Sequence, residues 1–124
     1  MVNRRYDIVR SLVFILALSA GLAAQSEVYK PGKGITLPVV VREVKPDYTD
    51  EAKAARIQGT VTLKVVVRDD GTVGDVQVTG PLDTEFGLDA EAVKAVKQWR
   101  FKPGTKEGKP VAVEVTIELA FTLK

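Results

Sequence analysis

Side chains that commonly catalyse reactions or bind metals are scarce in this chain of 124 residues. It contains no histidine and no cysteine, which excludes imidazole general bases, thiol catalysis and cysteine-based metal sites. Asp69-Asp70-Gly71 has the beginning of a calcium-loop pattern, but Gly71 and Val73 stand where oxygen ligands are needed. A hairpin turn is sufficient to explain these residues. The sequence therefore predicts no catalytic residue, no metal site, no cofactor and no small-molecule substrate.

Two further groups have both a functional and a structural interpretation. Trp99 is either a stacking platform for a ligand or a core anchor, and its position on the apolar stripe of a predicted helix favours the core. The basic residues Lys45, Lys53 and Arg56 are typical of a solvated surface. Residues 25–124 carry 15 basic and 15 acidic side chains, whereas nucleic-acid binders concentrate cations on one face. We therefore expect no nucleic-acid partner.

The N-terminal residues predict export. A basic start is followed by an apolar stretch of 14 residues at positions 11–24, shorter than the roughly 20 residues that span a bilayer as a helix. Small residues at its end suit signal peptidase. The sequence thus predicts a signal peptide at residues 1–24, cleaved near Ala23–Gln25, and a periplasmic protein. An uncleaved N-terminal anchor is the alternative.

The remainder of the chain predicts a linker and one domain. Residues 25–37 are rich in glycine and proline and are expected to be a linker, and residues 38–124 form the domain. A first helix is predicted at residues 49–58, capped by Thr49 or Asp47 and ended by Gly59. A second helix is predicted at residues 90–100, capped by Asp89. The apolar run at residues 39–41 either adds a strand or lies along the domain's flank.

Alternating apolar residues predict three long strands. The first two are joined by the Asp-Gly turn at residues 69–72, with a bulge expected at Gly74. The third contains seven apolar residues at successive odd positions from Val111 to Leu123. Connection rules give an antiparallel sheet in the order second, first, third, so that the last strand is an edge. The predicted fold is α+β, with two helices on one face of a small antiparallel sheet.

Six short motifs follow one another along the predicted domain. They are Pro46-Asp47-Tyr48, Gly59-Thr60-Val61, Asp70-Gly71-Thr72-Val73, Leu88-Asp89, Trp99-Arg100-Phe101-Lys102-Pro103 and Gly108-Lys109-Pro110-Val111. Their order and spacing are typical of TonB C-terminal domains, and the chain resembles that family over residues 38–124. The Trp-Arg-Phe-x-Pro stretch, followed by Gly-x-Pro-Val and an alternating terminal strand, is the most specific part of the pattern.

The resemblance implies protein binding in TonB-dependent transport. In the family, an extended peptide of an outer-membrane receptor joins the sheet edge as an extra strand, near a Pro-x-Tyr-Pro segment. Thr49 stands where the family usually has its second proline. The residues that the resemblance assigns to partner binding are Pro46, Tyr48, Glu114, Thr116, Glu118, Ala120 and Thr122.

Features of the family's energy-transducing part are missing from this sequence. TonB proper has a membrane helix with a functional histidine and a long proline-rich spacer, whereas this chain has no histidine and a short apolar run. The resemblance therefore favours a soluble periplasmic binding module. Two alternatives stay open, a structural protein that forms a homodimer through its edge strand and a short membrane-anchored energy transducer.

Overall fold

A computed structural model describes residues 27–124 of the chain. Eight strands and two helices follow one another in these residues. In chain order they are β1 (Val28–Tyr29), β2 (Ile35–Thr36), β3 (Val39–Arg42), α1 (Asp50–Ala54), β4 (Gly59–Val67), β5 (Val73–Gly80), α2 (Leu88–Val96), β6 (Arg100–Lys102), β7 (Gly104–Lys106) and β8 (Lys109–Phe121). The predicted signal peptide at residues 1–24 lies outside the described residues.

The three long strands form the antiparallel sheet that the sequence predicts. β4 lies between β5 and β8, which is the predicted order second, first, third. The β4–β8 ladder is continuous from Gly59 opposite Phe121 to Val67 opposite Val113. The inward-facing apolar side chains of β4 are fully buried, and those of α1 and α2 pack in the same cluster. Burial of one face of the sheet beneath two helices confirms the predicted fold class.

The hairpin between β4 and β5 follows the predicted turn and bulge. Val67 pairs with Val73 and Val65 with Val76, so β5 carries an extra residue beside Gly74. Gly71 has a φ of 86°. A Cβ atom there would lie 2.1 Å from the carbonyl oxygen of Phe101, so both the backbone conformation and the close approach require glycine.

The first helix is shorter than predicted. Thr49 is the N-cap and accepts a hydrogen bond from Ala52 N at 3.2 Å, as expected. The helix ends at Ala54 because Arg56 adopts a φ of 56°. Ile57 N then donates to Ala52 O and Arg56 N donates to Lys53 O, both at about 3 Å, the two bonds of a Schellman motif. Gly59 begins β4 instead of ending the helix.

The second helix begins two residues before its predicted start. Gly87, not Asp89, is its N-cap. Asp89 lies in the first turn, where its Oδ1 accepts from Leu82 N and Asp83 N at 2.9 and 3.0 Å. The helix ends at Val96, because Arg100 to Lys102 are extended and pair with β3.

The predicted linker contributes two short strands to the sheet. β1 pairs in parallel with β8 at Ala112 and Val113, and β2 pairs with β7. β7 in turn pairs with residues 109–111 of β8. The prediction that the last strand, Val111 to Leu123, is an edge over its whole length is therefore wrong for residues 111–113. These contacts were not predicted because strands of two or three residues carry no detectable periodicity.

No helix in residues 27–124 is both long and apolar enough to cross a membrane.

Candidate functional site

The last eight residues of β8 form a free edge. Residues 114–121 pair only with β4 among the strands of the described chain. At roughly 3.3 Å per residue this free edge is about 26 Å long, longer than a typical strand of five or six residues. Residues 114–121 contain no proline, the residue that often blunts such edges. The free edge therefore offers main-chain N–H and C=O groups to another extended chain.

The side chains along the free edge alternate between core and solvent. Leu119 and Phe121 are buried, and Val115 and Ile117 are half-buried against the same core. On the opposite face Thr116, Glu118 and Ala120 are exposed, whereas Glu114 is half-buried. Because the exposed side chains are small or charged, recognition along this edge must come mainly from the main chain.

A groove of about 300 Å³ lies at the C-terminal end of the free edge. One side consists of residues 43–46 and Tyr48, and the other of residues 119–122. Trp99 also lines the groove although it is only 4% exposed. Its burial confirms that Trp99 is part of the core. The groove therefore combines aromatic and aliphatic side chains with polar surface, and it opens beside an unpaired strand.

Two hydrogen bonds and one aromatic contact hold the groove's walls in place. The indole Nε1 of Trp99 donates to the carbonyl oxygen of Val44 at 2.8 Å. The hydroxyl of Tyr48 donates to the carbonyl oxygen of Ile57. The Tyr48 ring meets Phe121 edge to face, with 5.4 Å between centroids and 81° between planes, an arrangement that aromatic pairs favour. Tyr48 thus has a structural role as well as lining the groove.

Thr49 connects the groove to the loop before α2. Its Oγ1 donates to the carbonyl oxygen of Phe86 at 2.7 Å while accepting the capping bond from α1. A proline at this position has no hydroxyl and makes neither bond. Thr49 therefore fixes the segment that follows Tyr48 by side-chain hydrogen bonds.

Charges of both signs surround the groove. Glu43 and Lys45 are exposed on its rim. Lys53 Nζ lies 5.9 Å from the centroid of the Tyr48 ring, within the range of a weak cation–π contact. No group of three or more potential metal ligands occurs in the part of the chain that the structure describes.

Two carboxyl groups with lowered pKa values lie in turns, away from the groove. Hydrogen bonds from the Thr72 hydroxyl and backbone N–H lower the pKa of Asp70 in the β4–β5 turn. Backbone N–H groups, with Phe86 first among them, lower the pKa of Asp83 in the loop before α2. Both carboxylates stabilise local backbone, which explains their shifts without a catalytic role.

The structure brings four of the seven predicted binding residues together. Pro46, Tyr48, Ala120 and Thr122 line the groove. The other three, Glu114, Thr116 and Glu118, lie along β8 outside it.

The sequence did not identify the groove itself or the contribution of Glu43, Val44 and Lys45 to it. A buried tryptophan needs an acceptor for its N–H. That need indicates that another segment packs against Trp99, but the sequence does not show that the acceptor is Val44.

The family is shown by comparison with known proteins. Residues 44–123 match the model for the Gram-negative bacterial TonB protein C-terminal family, and the chain belongs to this family. The TonB protein of Vibrio cholerae is 34% identical over 86 residues, which are 69% of this chain and 35% of that protein. The TonB protein of Escherichia coli is 30% identical over 82 residues, 66% of this chain and 34% of that protein. The matches thus span about a third of these relatives' length.

A solved structure shows the same fold. The solution structure of the Pseudomonas aeruginosa TonB CTD superimposes with a TM-score of 0.59 and 28% identity. The superposition covers 80% of this chain and 97% of that one. The family resemblance and the fold class predicted from the sequence are both confirmed.

Proposed function

We propose that this protein is an envelope binding module that recognises an extended segment of an outer-membrane receptor by strand addition to the free edge of β8. The observation that carries the proposal is the coincidence of an unpaired edge of eight residues with an aromatic groove at its end. Membership of the TonB C-terminal family supports the same role, because receptor binding is what the resemblance to that family implies. The proposed activity is protein binding, without catalysis.

Strand addition uses the main chain for affinity and side-chain recesses for specificity. A segment paired with residues 114–121 gains hydrogen bonds on alternate residues. At the Phe121 end, one of its side chains enters the groove against Tyr48 and Trp99. Pro46 restricts the conformation of the wall, so the wall loses little entropy when the segment binds.

Photo-cross-linking tests the location of binding. A benzoylphenylalanine placed at Thr116 on the exposed face of β8 should capture an outer-membrane receptor from envelope extract. The same group at Gln77 on the exposed face of β5, the other edge of the long-strand sheet, is the matched control. Capture from Gln77 with none from Thr116 would show that the receptor binds along β5, which would contradict the proposal.

A proline scan tests the role of the main chain. Prolines introduced singly at residues 115, 116, 117 and 118 each remove one N–H group, and successive residues of a regular strand direct that group alternately outward and towards β4. Where the lost N–H points outward, the domain should fold and bind its captured receptor more weakly. Where it points towards β4, the domain should be destabilised. Undiminished binding by every folded variant would exclude the edge as the binding surface.

We also propose that the protein is exported to the periplasm, with its signal peptide cleaved near Ala23–Gln25. The basic start, the short apolar stretch and the small residues after it support this proposal. Sequencing of the mature N-terminus after osmotic shock tests it, with a first residue near Ala24 or Gln25 as the expected result. An intact Met1 in the membrane pellet would favour a short anchored energy transducer instead.

Self-association is the second candidate function. The free edge is the same surface on every copy, so two copies can pair antiparallel about a twofold axis. Light scattering across a concentration series separates the candidates, because a homodimer gives a concentration-dependent mass that the proline variants lower. If the mass stays that of the monomer across the concentration series, the homodimer is excluded and receptor binding remains the proposed function.

A further inference from the structure

A second exposed surface lies outside the free edge and the groove. It is the two-stranded sheet of β3 and β6, named here the basic ribbon, in which Val39 pairs with Lys102, Val40 with Phe101 and Arg42 with Arg100. Because the register shifts between Val40 and Arg42, β3 carries one extra residue there. The basic ribbon adjoins the groove, since Glu43 and Trp99 directly follow and precede its arginines.

Apolar side chains on β3 are unusually exposed. Val39, Val40 and Val41 are 57%, 42% and 66% exposed, and the preceding Leu37 is 49% exposed. Single exposed aliphatic residues are common, but a continuous run of them usually marks an interaction surface. Within residues 27–124, β3 pairs only with β6, so its other edge is also unpaired.

Three cations lie on one face of the basic ribbon. Phe101 is buried, so the face that it shares with Val40 points to the core. Lys102 and Arg100, on either side of Phe101, therefore point outward, as does Arg42 opposite Arg100. All three are exposed. Like charges directly opposite each other in a sheet are destabilising, and an anionic partner would relieve that repulsion.

We propose that the basic ribbon docks an extended protein segment that alternates β-branched residues with carboxylates. Paired along the free side of β3, such a segment places its carboxylates on the outward face, beside Arg42 and Arg100, and its aliphatic side chains on the other face, over the exposed part of Val40. This interaction goes beyond the proposed function, because it uses a surface separate from the free edge of β8. A lipid surface is the less suitable occupant, since it leaves the unpaired main-chain groups of β3 without hydrogen-bond partners.

Synthetic peptides test this proposal on the full chain. The probe is a fluorescein-labelled peptide of eight residues that alternates valine and threonine, with aspartates at two threonine positions. Matched peptides carry asparagine or lysine at those positions. By fluorescence anisotropy at about 0.05 M salt, each ion pair should strengthen binding about two- to fivefold. With two ion pairs, the aspartate peptide should bind about 4- to 25-fold more tightly than the asparagine peptide, with the lysine peptide weakest. About 0.5 M salt should remove the difference.

Charge variants test whether the preference for the aspartate peptide over the asparagine peptide arises at the basic ribbon. The double variant Arg42→Gln/Arg100→Gln should bind the aspartate and asparagine peptides equally, whereas Arg42→Lys should retain the preference. Lys64→Gln, which removes one positive charge from β4, is the control and should also retain the preference. Folded proline variants of β8 should also retain the preference for the aspartate peptide. Loss of receptor binding in those variants can therefore be distinguished from loss of binding at the basic ribbon.

Two results would overturn the proposal. The first is equal binding of the aspartate and asparagine peptides to the parent protein, and the second is a preference that survives in the double variant. Vesicles containing phosphatidylglycerol provide the competing test. If sedimentation with them requires both arginines while the peptides show no preference, the basic ribbon is a membrane-binding surface and the proposal is wrong.

Discussion

Replacing Trp99 by phenylalanine should weaken the domain and loosen one wall of the groove at the same time. The substitution keeps an aromatic ring in the core but removes the indole N–H that donates to Val44 O at 2.8 Å. A hydrogen bond of this kind contributes about 0.5–1.5 kcal/mol, and a buried carbonyl left without a donor costs about 1–3 kcal/mol. Because Val44 is half-buried, water can reach part of it, and we expect a loss of about 1–2 kcal/mol.

Thermal and urea unfolding followed by circular dichroism measure this loss. For a domain of this size, about 1 kcal/mol corresponds to a shift in Tm of roughly 4–8 °C, so Tm should fall by about 5–15 °C. Tyr48→Phe is the matched control, since it removes the hydroxyl that donates to Ile57 O on the same side of the groove. Amide exchange at residues 43–46 should accelerate in the Trp99 variant more than in the Tyr48 variant.

Trp99→Ala should reduce the free energy of unfolding more than Trp99→Phe does. Truncating a buried tryptophan costs about 3–5 kcal/mol, a large part of the roughly 5–15 kcal/mol expected for a whole domain. The alanine variant should therefore be close to unfolding at room temperature. If Trp99→Phe melted within a degree of the parent and left exchange at residues 43–46 unchanged, the indole hydrogen bond would not be what holds the groove's wall.

Four further substitutions test particular contacts. Arg42→Gln removes one of two directly opposed like charges and should stabilise the domain by about 0.2–1 kcal/mol; a lower Tm would refute the repulsion. The carboxylate of Asp83 has a lowered pKa, so its stabilisation is present above about pH 4 and is lost as the pH falls below that value. The stability difference between the parent and Asp83→Asn should accordingly shrink as the pH falls below about 4, and a constant difference would contradict this account. Gly71→Ala should cost more than about 2 kcal/mol, since its Cβ meets the Phe101 carbonyl. Gly108→Ala, with a φ of 79° but open space, should cost only about 1–2 kcal/mol, and equal losses would show that the close approach is unimportant.

The central sheet was predictable because its signals are local or follow from connectivity. Alternating side chains from Val61 to Val67 and from Val113 to Phe121 determine which face is buried. The Asp-Gly turn makes β4 and β5 neighbours, and α2 returns the chain to the free side of β4. Helix ends were less predictable. The helix α1 ends at Ala54 because Arg56 adopts a left-handed backbone conformation, whereas sequence patterns assign Arg56 to the helix interior.

The free edge was predictable in part, whereas the groove was not. Residues 114–121 are unpaired on one side as expected, but β1 covers Ala112 and Val113 through contacts with no sequence pattern. The groove depends on a hydrogen bond between Trp99 and Val44, which are 55 residues apart. Such a pairing is set by tertiary packing, so composition and periodicity carry no information about it.

Amide hydrogen exchange on the complex tests strand addition to β8 most directly. The receptor segment captured from residue 116 is bound as a synthetic peptide, and exchange is compared with that of the free protein. The account predicts slower exchange at alternate residues of 114–121, whose N–H groups point away from β4, with no change along β5. New protection on β5, or none along residues 114–121 in a saturated complex, would contradict it.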